Sequence, residues 1–276
     1  MNRYLKLVNF EFNRFFKLYI VLVIVTIIMQ IFAVIMESRR YMQEAKNVIY
    51  VEMMSKADFI KNYEPFTMQR VVQSNWFYWP IALCVVVLLI YVFFIWYRDW
   101  LGKNSFIYRL LMLPTARLNL YFAKATAILI FVFGLVALQF LLFPIETQIL
   151  KWIVPAEFRV DLPIKEYTDF NYLSVILPGS LIDFLLFYGM GIVAVCVTFT
   201  AILFERCYRL KGIIFGISYG LVSVGFFLMP LLIDTFVLNN YFFPVELFVM
   251  EVIAGIIVLI GAVWIGNYLL KYKIRV

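Results

Sequence analysis

FYWPIALCVVVLLIYVFFIW, residues 77–96, runs for twenty positions without a charged side chain. About 20 apolar residues is what a helix needs to cross the hydrocarbon core of a bilayer. The run is continuous, so it lacks the period-two alternation of a membrane β-strand. In lipid every backbone N–H and C=O needs an internal partner, and a helix supplies them all. Working outward, five more stretches meet the same test: 18–36, 125–143, 181–204, 212–233 and 247–270. The predicted fold is an all-α membrane protein with six transmembrane helices in a single membrane domain, 1–276. Composition agrees. Of 276 residues, 65% are hydrophobic, and the mean hydropathy is +0.93. A water-soluble globule holds about 45–50%.

Orientation follows from the cations. With the N-terminus inside, the inner segments carry fifteen Lys and Arg against three acids, Glu11, Asp99 and Glu205. The outer segments carry nine basic residues and twelve acids. Cytoplasmic loops collect Lys and Arg, so both termini are expected in the cytoplasm of a multi-pass protein. Charges at Arg3, Lys6, Glu11, Arg14 and Lys17 interrupt any short apolar core of a cleavable leader, so the first span is expected to be retained.

Residues 1–17 mix Leu5, Phe10, Phe12, Phe15 and Phe16 with these charges. They are predicted to form an amphipathic interfacial helix whose cations meet anionic headgroups. Of the outer segments, 37–76 is the longest, and its helix formers predict a helical extension over 39–61. Segment 144–172 contains Pro144, Pro155 and Pro163 and is predicted as an irregular cap. Segment 234–246 is short and aromatic, and could dip into the bilayer where protein shields its backbone.

Catalytic chemistry finds little footing. The chain has no histidine, which removes the commonest general base and metal ligand. Its three cysteines, Cys84, Cys196 and Cys207, show no metal or disulfide spacing. Gly102-Lys103 is followed by asparagine and has no upstream glycine partner, so it is no phosphate-binding loop. The chain is predicted to be a non-enzyme that binds no cofactor or metal. Work against a gradient would then need energy from another subunit.

Two acids fall inside spans, Asp183 and Glu251. Each is either an interfacial carboxylate favoured by a helix N-terminus or part of a substrate pathway. Gly212, Gly216 and Gly220 recur every four residues, a flat stripe that lets another helix approach closely. Such a stripe serves a seam within the chain, a seam between subunits or a sliding surface.

Between spans two and three lies YRDWLGKNSFIYRLLMLPTARLNLYFAK, residues 97–124. Gly102 ends one helix, and Asn104 or Ser105 can cap the next. Phe106, Leu110 and Leu113 then follow at helical spacing until Pro114 stops the run. The prediction is a short amphipathic cytoplasmic helix within a connector that carries Arg98, Lys103, Arg109, Arg117 and Lys124 against the single acid Asp99. It either lies on anionic lipid or docks into a cytoplasmic protein. The basic surplus is not assigned to nucleic acid.

At these residues the chain resembles the permease subunits of type-2 ABC exporters. That family typically has an acid after the second span, then a small polar pair, then Leu-Leu-x-x-Pro-x-x-Arg, then a lysine. Here Asp99, Asn104-Ser105, LLMLPTAR (110–117) and Lys124 stand in those places. The family often has Glu and Gly-Thr where this chain has Asp99 and Asn104-Ser105. The resemblance implies a coupling helix from Arg98 to Arg117. Its ATPase-contact residues would be Arg98, Asp99, Ser105, Arg109, Leu110, Leu111, Pro114 and Arg117, with a second contact at Glu205 and Arg206. It further implies a bacterial plasma-membrane exporter, a second permease subunit and a cytoplasmic ABC ATPase holding the ATP and Mg. The amphipathic cargo would be a peptide, drug or lipid. The rival expectation is a sensory or scaffolding protein, or an ATP-independent transporter, whose outer segment binds a ligand or partner.

Overall fold

The computed structural model describes the chain apart from residues 1–2, 52, 101–109, 111, 113–114, 164–165, 167–171, 240 and 275–276. Among the described residues there is no strand, only an isolated bridge between Phe66 and Arg159. Helices α1 (Arg3–Tyr50), α2 (Lys56–Asn62), α3 (Met68–Val72), α4 (Asn75–Trp100) and α5 (Arg117–Ile153) come first. They are followed by α6 (Leu173–Ile176), α7 (Leu181–Tyr208), α8 (Leu210–Phe236) and α9 (Pro244–Tyr268), which runs on into a π-helical turn, Leu269–Lys273. Six of these, α1, α4, α5, α7, α8 and α9, are long and apolar enough to cross a membrane. The first five each contain one predicted stretch, and α9 with its π-helical turn contains 247–270.

Three local expectations are corrected. Residues 3–17 are not a separate interfacial helix but the opening turns of α1, which continues unbroken to Tyr50. Its 48 residues contain neither Gly nor Pro, so nothing stops propagation. At 1.5 Å per residue α1 is about 72 Å long, far more than the roughly 30 Å of a hydrocarbon core. The 39–61 extension divides. Met53 takes a left-handed φ of 56°, and α2 restarts behind Ser55, whose Oγ accepts the Asp58 N–H at 3.2 Å. Pro144 does not open an irregular cap; it lies exposed inside α5. The face bearing Phe143, Leu150 and Val154 is buried, and that burial outweighs the single lost backbone bond. Segment 234–246 is the ends of α8 and α9 plus a short link, in which the Asp234 carboxylate accepts the Phe242 N–H at 3.0 Å.

The chain forms two compact units. The first comprises Met1–Arg14, Leu88–Leu129 and Leu181–Val276. In it α7, α8 and α9 pack on one another. The Thr200 hydroxyl donates to the Ala262 carbonyl at 2.9 Å, and the Tyr121 hydroxyl to the Cys196 carbonyl at 2.8 Å. Buried Trp96, Tyr121 and Phe199 meet in edge-on and tilted contacts, with Tyr121 and Phe199 centroids 5.5 Å apart.

The second unit comprises Phe15–Val87 and Ile130–Ser180. Gln30 and Gln139, both buried inside predicted spans, exchange two side-chain bonds of 3.0 and 3.3 Å. Each amide thereby covers the other's donor and acceptor, which an apolar surrounding demands. A packed head follows. Tyr41, Ala45 and Val48 of α1 meet Phe59, Phe66, Val71, Phe158 and Leu173 in one apolar core. Phe66 and the 158–160 segment exchange backbone bonds of 2.9 and 3.0 Å. The Tyr172 hydroxyl donates to the Val72 carbonyl at 3.0 Å, and burial, with help from Tyr78 and Glu146, raises the pKa of that phenol.

Glu146 lies on the buried face of α5, between Phe143 and Leu150. Neither carboxyl oxygen has a hydrogen-bond partner among the described residues. A buried polar group left unpaired costs about 1–3 kcal/mol. Glu146→Leu, of similar volume, is therefore expected to raise unfolding stability by about 1–3 kcal/mol, measured by thermal unfolding of the purified chain. A lower melting temperature in the variant would refute the assignment.

Candidate functional site

The residues flanking the connector converge on one buried ammonium. Lys124 opens the third span, and its side chain is fully buried. An ammonium has three donors, and all three are used. They reach Glu11 Oε1 at 2.7 Å, Asp99 Oδ2 at 2.5 Å and the Ile95 carbonyl at 2.9 Å. The second oxygens of the two acids are taken as well. Arg98 Nη2 donates to Glu11 Oε2 at 3.0 Å, and Arg14 Nη1 to Asp99 Oδ1 at 2.6 Å. The ammonium also lies over the Trp96 ring, 5.2 Å from its centroid.

Helix geometry places each member. Glu11 and Arg14 are three apart on α1 and so share a face. Arg98 and Asp99 are in the last turn of α4, and Lys124 lies two turns into α5. Glu11 and Asp99 are fully buried, whereas the Arg14 and Arg98 side chains are 24% and 27% exposed. Removing an ion from water costs several kcal/mol. Three cations around two carboxylates offset that cost only because every inner bond is made. The arrangement clamps α1, the end of α4 and the start of α5 together. The connector between α4 and α5 is thus held at both of its ends.

The other predicted contact residues are also engaged inside the first unit. Arg117 Nη1 donates to the carbonyls of Leu270 at 2.5 Å and Ile274 at 3.0 Å, which caps the C-terminal π turn. Glu205 accepts the Tyr97 hydroxyl. The Arg206 guanidinium lies 4.4 Å from the Tyr97 ring centroid and near the Glu205 carboxylate at 3.7 Å. Leu110 is buried. Ser105, Arg109, Leu111 and Pro114 lie outside the described residues.

The glycine stripe divides. A Cβ added to Gly212 would overlap the Phe204 carbonyl and approach Glu205 Cα at 2.7 Å. One added to Gly216 would lie 2.7 Å from the Ala201 carbonyl oxygen, whereas one at Gly220 would meet nothing within 4 Å. Gly212 and Gly216 are therefore the α7–α8 seam. Asp183 is exposed in the first turn of α7. Glu251 is half-buried and lines a cleft among α7, α8 and α9.

Sequence reasoning placed Glu11 and Arg14 on an interfacial helix, with the cations at headgroups, and Lys124 on a cationic surface. The structure turns all three into the network. One signal was present: Glu11 is the only acid among the N-terminal cations, and Asp99 the only acid of the connector. Among the described residues no cluster of three His, Cys, Asp or Glu side chains comes together.

Fold and site define a class, a helical multi-pass membrane protein with a closed ion network at the root of its longest basic connector. No family model, curated protein or solved structure matches the chain.

Proposed function

We propose that the chain is the permease subunit of an ATP-driven exporter for an amphipathic substrate. A separate cytoplasmic ABC ATPase would hydrolyse the ATP, and a second permease subunit would complete the pathway. One observation carries the reading. The two ends of the basic connector are joined to each other and to α1 through Lys124, Asp99 and Glu11. A push on the connector is then delivered to three helices at once, which is what an energy-receiving element requires. A partner biases two transporter states only by contacting them differently, and a rigidly rooted connector gives it a lever. The fifteen-to-three excess of basic residues on the same side supports a cytoplasmic setting for it, and the bacterial plasma membrane is what the resemblance implies.

Affinity purification of the full chain from its native membrane tests this. A Walker-motif ATPase is expected to co-purify. Arg109→Glu, on the connector, is expected to lower its recovery about tenfold or more, because reversing an interface charge costs a few kcal/mol. The melting temperature of the chain should not change. A stable chain that recruits no nucleotide hydrolase would overturn the proposal.

A second reading has its own support, the packed head around Tyr41, Phe66 and Phe158. A receptor or scaffold would use that head to hold a ligand or partner outside the membrane. It predicts full function in the absence of any ATPase, so the same purification discriminates the two.

A further inference from the structure

Helices α7, α8 and α9 enclose a cleft of about 190 Å³. Its walls include Gly189 and Val193 of α7, Phe227 of α8, and Gly255 and Ile256 of α9. Glu251 is the only charged residue that lines it. Among the described residues no ion pair or hydrogen bond reaches that carboxylate. Asp183 differs: it lies in the first turn of its helix, where the dipole favours negative charge. Glu251 is about two turns beyond Pro244, and the dipole fades within the first. A carboxylate in an apolar, membrane-spanning setting is costly unless a cation meets it, and the chain supplies none here.

We propose that this cleft binds a hydrophobic organic cation, its apolar segment between Gly189 and Phe227 and its ammonium on Glu251. Size and charge both select that class. An engineered apolar cavity of roughly 150 Å³ holds benzene, so this cleft takes one ring or short alkyl segment. The two acyl chains of a phospholipid do not fit. A neutral guest would leave the carboxylate unpaired, and an anion would be repelled. The absent side chains make the space. A Cβ at Gly189 meets nothing within 4 Å, while one at Gly255 would press on Phe227 at 3.3 Å. The proposal goes beyond the coupling reading and does not need it, because binding is measured on the chain alone.

The test uses the full chain in phosphatidylglycerol nanodiscs and a benzylammonium probe with a diazirine on its ring, a size the cleft admits. Cross-linked peptides are mapped by mass spectrometry, with the matching alcohol as a neutral control. Adducts are expected on the 185–193 and 251–259 segments from the amine and not from the alcohol. Glu251→Gln should reduce them about tenfold or more, as loss of an ion pair in a low-dielectric site predicts. Gly189→Leu, which keeps the carboxylate and fills the space, should reduce them similarly. Tryptophan fluorescence checks folding, and Gly189→Leu carries the test alone if Glu251→Gln misfolds. Equal labelling by amine and alcohol, or wild-type labelling in the variants, would overturn the proposal. So would loss of labelling when phosphatidylethanolamine is added to the discs, since the site would then belong to the lipid.

Discussion

Lys124→Met is expected to destabilise the chain by about 3–5 kcal/mol, the cost of breaking a buried ion set by removing one partner. Methionine fills much the same volume, so the loss comes from charge. Glu11 keeps Arg98 at 3.0 Å and Arg14 at 3.8 Å, and Asp99 keeps Arg14 at 2.6 Å, but their inner oxygens lose the ammonium at 2.7 and 2.5 Å. Both acids are fully buried, so water cannot replace it. Unfolding of the purified chain in mixed micelles, followed by loss of helicity against added sodium dodecyl sulfate, measures the change. A shift below about 1 kcal/mol would place the network among surface pairs of small value.

The triple variant Glu11→Gln, Asp99→Asn, Lys124→Met sharpens the point. Replacing an entire buried ion set is often neutral or stabilising, so stability should return toward that of the wild type. On the proposed coupling, ATPase-driven transport should not return, because the neutral set clamps α1, α4 and α5 less firmly. Restored stability with lost nucleotide-dependent transport would separate what the network does for folding from what it does for function.

The six spans were legible because lipid imposes a simple rule, continuous apolar length, and the chain obeys it in each. The continuity of α1 was missed although its signal was present, 48 residues without Gly or Pro. The charges at Lys6, Arg14 and Lys17 led to a surface helix because a single sequence does not reveal what a face packs against. Pro144 misled for a related reason. Its helix-breaking tendency is local, whereas the burial of Phe143, Leu150 and Val154 is tertiary. The ion network was the least legible feature. Glu11 and Lys124 stand 113 residues apart, and each alone looks like an interfacial charge. Arg98, Asp99 and Arg117 were singled out for a partner's contact, and the structure gives each a role within the chain first.

The glycine stripe yields a prediction whose sign changes along a single helix. At Gly212 an added methyl meets the backbone of Phe204 and Glu205, which cannot rotate away. Overpacking of this kind costs about 1–3 kcal/mol and sometimes more. Ala favours a helix over Gly by about 1 kcal/mol, which offsets only part of it. Gly212→Ala is therefore expected to lower stability by about 2 kcal/mol or more, with Gly212→Leu preventing α7 and α8 from docking. Gly216→Ala should follow with a smaller loss, since its methyl would press on one carbonyl, that of Ala201. Gly220→Ala meets open space and should be neutral or stabilising by up to about 1 kcal/mol. Thermal unfolding of the three alanine variants under one set of conditions decides the matter. If Gly220→Ala is as damaging as Gly212→Ala, the stripe is read by something outside the chain along its whole length. The α7–α8 crossing would then not be what fixes these residues as glycine.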